Sequence, residues 1–162
     1  MGWFGYGLYD GDGTQTCHIN YINWALPDQE FSEDQIFDFL NTRKTKIPEK
    51  YRSAFRKGIP NLLKRVKLPK KDWDEDSAIE WQMLLSLFVD SNFSPPKKVI
   101  VYGLLASHYL LGEHCDSFDQ PGRRRAAIKR FIKKVTEKFS TAKAQKEIDK
   151  RLKHQELYFT LT

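Results

Sequence analysis

Two Cys-His dipeptides, Cys17-His18 and His114-Cys115, and one acidic glycine-rich run, Asp10-Gly11-Asp12-Gly13-Thr14, carry the side chains best suited to metal or phosphoryl chemistry. Two thiolates and two imidazoles are enough for a tetrahedral zinc site. Adjacent residues on a helix point about 100° apart, however, so one dipeptide rarely offers both of its side chains to one ion. The spacers of about two to five residues usual between zinc ligands are also missing. These four residues therefore read as core and surface positions. A calcium loop fails as well. Counted from Asp10, position 6 is Gln15 where glycine is needed, and position 12 is Tyr21 where Glu is needed.

The same acidic run resembles the first motif of the haloacid-dehalogenase-like phosphatases. That resemblance implies Asp10 as the nucleophile on phosphorus, Asp12 as the acid/base, and magnesium between them. The motif belongs after a buried strand of a parallel sheet, whereas a glycine-aromatic lead-in precedes it here and helical patterns follow. A turn with a helix cap is the preferred reading, so no catalytic residue, cofactor or metal is assigned. No phosphate-cradling Gly-x-x-x-x-Gly-Lys, dinucleotide fingerprint or Gly-x-Ser-x-Gly elbow is present either.

Charge is distributed more informatively than its formal net value of +6. Residues 1–42 hold seven acids and no Lys or Arg, and residues 43–71 hold twelve bases against Glu49. Residues 72–120 hold nine acids against Lys97 and Lys98, and residues 121–154 hold thirteen bases against Glu137, Glu147 and Asp149. Candidate anion- or partner-binding residues are Arg123, Arg124, Arg125, Lys129, Arg130, Lys133 and Lys134 on one helix. Arg52, Arg56, Lys64 and Arg65 are their counterparts in the earlier block. Three arginines in the first turn of a helix oppose its macrodipole by roughly 0.3–1 kcal/mol each. Asp116 and Asp119 in the preceding loop, or phosphates from outside, must offset that. Opposite blocks of similar size are expected to pack together and quench one another. Convergence of the two basic blocks on one face would instead make a nucleic-acid site.

The elements that position these residues read as one all-α domain spanning 1–162, a compact bundle of six to eight helices around Val99–Gly112. With 14% aromatics, the chain has enough large side chains for a core. Thr14 or Thr16 caps a first helix bearing Ile19, Ile22 and Leu26 and ending at Pro27. Ser32 with Gln35 forms a capping box, and Phe31 with Ile36 a hydrophobic staple. Pro48 opens a short helix stopped by Gly58, and Pro60 opens another stopped near Pro69. Asp72 to Asp76 favour the start of a helix whose apolar face is Ile79, Met83, Leu84, Leu87 and Phe88. Ser94-Pro95-Pro96 start the central helix, and Gly112 to Gly122 form a loop. The last helix carries a stripe of Ile128, Ile132, Val135, Phe139 and Ala142, continued by Ala144, Ile148 and Leu152. The termini are an irregular Gly-aromatic opening and an apolar tail, Leu157–Thr162. Val99–Gly112 is too short for a membrane span, which needs roughly 20 residues. Two cysteines make no disulfide framework and the opening lacks a leader pattern, so a cytoplasmic protein with reduced thiols is expected.

The opening Phe4-Gly5-Tyr6-Gly7-Leu8-Tyr9-Asp10-Gly11-Asp12 resembles the start of a family of small bacterial helical proteins of unknown function. Their amino termini read Trp-Gly-x-Gly-x-Phe, with Phe4 standing for the Trp and Tyr9 for the Phe. The resemblance implies a bacterial helical domain and no established activity. The first functional expectation is a non-catalytic interaction protein that binds another protein through charged helix faces, as immunity or antitoxin-like proteins of bacterial conflict systems do. The alternative is a nucleic-acid-binding protein using the basic helices of 43–71 and 121–154. A magnesium-dependent phosphatase-like enzyme on Asp10 and Asp12 comes third. A membrane partner is not expected.

Overall fold

The computed structural model describes residues 12–29, 31, 35, 47–67, 73–118, 120–139, 145–146 and 148–150, with side chains for all but 12–15 and 113. Five α-helices are described along their length, α1 (Asp12–Ala25), α2 (Arg52–Arg65), α3 (Glu75–Asp90), α4 (Lys97–Leu110) and α5 (Pro121–Phe139), and residues 35, 145–146 and 148–150 are helical as well. Two 3-10 turns, Glu49–Tyr51 and Glu113–Ser117, precede α2 and α5, and no strand occurs among the described residues. The fold is all-α, as the hydrophobic periods require. The aromatic opening with Asp10, the Ser32 capping box, Asp119, Ala142, Ala144 and the tail from Arg151 onward lie outside the described residues. Of the expected staple, Phe31 is described, and its ring meets Tyr51 edge-on with centroids 5.2 Å apart.

The centre of the core is α3 as much as α4. Asp74 caps α3, its Oδ1 accepting from the Ser77 N–H at 2.7 Å, and Glu75 and Asp76 place negative charge at the positive end of the dipole. Eleven of its residues between Ala78 and Val89 are buried, all but the half-buried Glu80, so α3 is buried almost all round where the sequence promised one broad apolar face. α4 packs antiparallel to it, with Gln82 donating to Ser107 at 3.1 Å and Trp81 against Tyr102 at 5.2 Å. Gly103 allows this approach, because a Cβ there would stand 2.6 Å from Leu85 Cβ.

On the other side of α3 lie α1 and α2. α1 runs antiparallel to α3, with His18 against Met83 and Ser86 and the Tyr21 hydroxyl donating to the Glu80 carbonyl at 2.6 Å. It starts at Asp12, so Thr14 and Thr16 are interior positions instead of caps, and it ends at Ala25. α2 is one continuous helix, not two pieces broken at Gly58 and Pro60. Its apolar residues explain why: Phe55, Ile59, Leu62 and Val66 recur at spacing four, three and four, a helical stripe that passes straight through both breakers. Pro60 removes one intrahelical bond on the exposed side. Gly58 sits where the backbones of α1 and α2 touch, and a Cβ there would lie 1.8 Å from the Ala25 carbonyl oxygen.

α5 begins at Pro121, with proline at the first helical position as its geometry favours. Its buried residues are Arg124, Ala127, Ile128, Phe131 and Val135. Ile132 and Phe139, expected at the centre of the stripe, are only partly buried, so the buried face is rotated toward Phe131. Ile148 is also buried. No helix among the described residues is long and apolar enough to cross a membrane.

Candidate functional site

The C-terminal end of α3 is where the two basic blocks meet. α3 stops in a Schellman motif: Phe93 N–H bonds the Phe88 carbonyl at 2.9 Å, and Asn92 N–H bonds the Val89 carbonyl at 3.3 Å. Asn92 takes the left-handed position with φ 57°, which asparagine tolerates better than most residues. From the first block, Arg52 donates to the carbonyls of Ser91 and Asn92, its guanidinium stacked 4.2 Å from the Phe93 ring centroid. Arg56 stands over the same ring at 5.6 Å. From the second block, Lys138 donates to Asn92 Oδ1 at 3.0 Å, and Lys134 lies 3.7 Å from Asp90. Cations are favoured there, because the C-terminal carbonyls of a helix carry partial negative charge.

From this corner a cationic surface runs back along α5. Lys129, Arg130, Lys133, Lys134 and Lys138 are all exposed. With Glu137, four of them line a shallow depression of about 440 Å³. Lys133 reaches Glu137 at 4.0 Å, an exposed pair of small energetic weight. Beside it, His108, Leu111, Ile132 and Thr136 form the floor of a mainly apolar groove of about 400 Å³, flanked by Lys129, Lys133 and Glu137. The acids Asp74, Glu75 and Asp76 occupy the opposite end of α3. A helix of that length spans about 24 Å, well beyond a screening length of about 8 Å at physiological ionic strength. They do not neutralise this corner.

The first turn of α5 is different, and two of its candidate arginines are corrected. Arg124 has no exposure to solvent. It lies against Phe118, with its Nη2 3.3 Å from His114 Nε2. The helical phase that buries Ala127, Ile128 and Phe131 buries position 124 too. Arg125 donates to the Leu111 carbonyl at 3.1 Å and to Asp116 at 2.6 Å, closing the C-terminus of α4. Asp116 thus supplies the internal offset the sequence required, and holds the Arg125 pKa above its ordinary value by that hydrogen bond. Arg123 is exposed. Lys64 and Arg65 sit at the far end of α2, where Arg65 faces Trp24 at 5.6 Å, so they do not join the corner.

The remaining chemistry-bearing residues are dispersed. His18 is buried in α1, its Nε2 3.1 Å from both the Met83 carbonyl and Ser86 Oγ, and burial pushes its pKa down to about 4. Cys17, one residue before it, is half-buried; desolvation, then Glu80, pushes its thiol up to about 12. Cys115 is buried and donates to the Leu110 carbonyl. Among the described residues, no three His, Cys, Asp or Glu side chains are grouped to hold a metal ion. Asp10 is outside the described residues, and only the backbone of Asp12, the first residue of α1, is described.

Asn92, Phe93 and the role of Lys138 were missed in the sequence, although Ser91-Asn92 after an apolar helix is a recognisable stop signal. No family model, curated protein or solved structure matches this chain.

Proposed function

We propose that this protein is a non-catalytic binding domain whose α5 face, extended by Arg52 and Arg56, takes the phosphate backbone of a nucleic acid. The observation that carries this reading is the shared corner: Arg52 and Lys138, from different basic blocks, both bond Asn92. Among the described residues, the acids paired with α5 from Lys129 onward are Asp90 and Glu137, against five exposed cations. The buried residues of α5 are in the core, so its cations are presented on a rigid rod, as register-fixing phosphate contacts need. The reading reverses the order expected from sequence, which put a protein partner first because it assumed mutual quenching of the blocks. That quenching operates at the first turn of α5, through Arg125 and Asp116.

The test is fluorescence anisotropy with a labelled DNA or RNA duplex across a salt series. If Lys129, Arg130, Lys133, Lys134 and Lys138 each meet a phosphate, log K should fall against log salt with a slope of about −4.5. Lys129→Glu with Lys133→Glu should flatten that slope by about two. Binding with no salt dependence, or a slope unchanged by the double variant, would overturn the proposal. A second reading, an acidic protein partner, is favoured by the apolar groove beside the lysines. Tighter binding of an acidic peptide carrying one large apolar side chain than of duplex would select it.

A further inference from the structure

His114, 5% exposed, is clamped between two helices of opposite charge. Its Nδ1 is 3.1 Å from Glu75 Oε1 at the start of α3, and its Nε2 is 3.3 Å from Arg124 Nη2 on α5. A guanidinium only donates, so Nε2 must be the acceptor and the ring proton must sit on Nδ1, which lies within ion-pair distance of the carboxylate but is not aligned on it for a hydrogen bond. The imidazole stacks edge-on against Phe118 at 5.2 Å, and Arg124 covers the same ring at 4.6 Å. Arg124, His114 and Phe118 thus form one buried stack that ties the turn Glu113–Ser117 and the first turns of α5 to α3.

We propose that protonation of His114 opens this tie, releasing the turn and the N-terminal end of α5 from α3 while the rest of the core stays closed. A second ring proton would place N–H against N–H at the Arg124 contact and two cations side by side in a desolvated site. Glu75 is the one carboxylate of α3 that faces the ring, and it is half-exposed. On the turn itself, Asp116 is committed to Arg125 at 2.6 Å, and Ser117 donates to the His114 carbonyl. Burial first, then Arg124, holds the His114 pKa below its ordinary 6.5, with Glu75 opposing. The open form therefore takes up a proton near 6.5 that the closed form resists. Stability of the tie is complete above that pH and falls as pH drops toward the closed-state value. Phe131 and Val135 anchor the C-terminal half of α5 independently, so the cationic face stays in place.

Amide hydrogen exchange on the full chain tests this, corrected for the intrinsic pH dependence of exchange. The amides of Cys115, Phe118 and Arg124, each hydrogen-bonded in the closed form, should lose protection as pH falls below about 6.5, by at most about tenfold per pH unit. Those of Trp81 to Val89 should not. His114→Gln, whose side-chain oxygen can still accept from Arg124 but does not titrate, should abolish the slope. His18 lies in α1, and opening there would register in residues 16–25 instead. Flat protection in the wild type at Cys115, Phe118 and Arg124, or the same slope in His114→Gln, would overturn the proposal. Should that variant not fold, an NMR titration of the His114 ring decides: a midpoint below 6.5 supports the tie, and one at or above 6.5 overturns it.

Discussion

Gly58 is in the middle of α2, where helix propensity alone says that alanine should stabilise by about 1 kcal/mol. The packing of α1 on α2 says the opposite. A Cβ at position 58 would stand 1.8 Å from the Ala25 carbonyl oxygen, 2.6 Å from its carbon and 2.9 Å from its Cα. Ordinary contact begins at about 3.4 Å, so the helices must separate by roughly 1.6 Å. The obstacle is backbone, so no rotamer change can absorb it. Inserting one methyl group into a tight core costs about 1–3 kcal/mol when side chains can yield. Here the upper part of that range applies, leaving Gly58→Ala destabilised by about 2 kcal/mol after the propensity gain. Urea unfolding followed by circular dichroism should show a lower midpoint with an unchanged slope, and a melting temperature down by about 4–8 °C. Gly103→Ala, whose Cβ would stand 2.6 Å from Leu85 Cβ, an atom that no rotamer change moves, should also destabilise, but by less because 2.6 Å is a smaller overlap than 1.8 Å. If Gly58→Ala proved as stable as the parent, the close approach of α1 and α2 would be wrong, and with it the account of why α2 does not break.

Two further expectations concern acid and the corner. His18 keeps a pKa of about 4 when folded, below its ordinary 6.5. The unfolded chain therefore binds a proton that the folded chain refuses, and stability falls as pH drops between those values. His18 should account for a loss of roughly 3 kcal/mol across that window, which His18→Gln removes, as urea titrations at both ends will show. Asn92→Ala should cost about 1–2 kcal/mol, because its φ is left-handed, whereas Asn92→Gly removes the Lys138 acceptor without that strain. Equal melting temperatures for the two Asn92 variants would mean that residue 92 is not held at positive φ.

Much of this was legible in residue patterns because helix formation is local. The 3.6-residue period, the acids Asp72 to Asp76 and the pair Pro95-Pro96 speak through contacts a few residues away, so the helical class and the starts of α3 and α4 follow from the chain alone. So does the inventory of charge. What residue types cannot carry is relative placement. Gly58 reads as a stop until Ala25 is found against it, and Arg124 reads as an exposed cation until the phase of α5 turns it inward. The partners that separate one arginine from the next are remote in sequence: Arg52 meets Asn92, and Arg124 meets His114, which in turn meets Glu75. Sequence determined how many charges there are and which helices bear them. Only the tertiary structure decided which are held internally and which face solvent together, because that depends on distances between helices, which no local preference encodes.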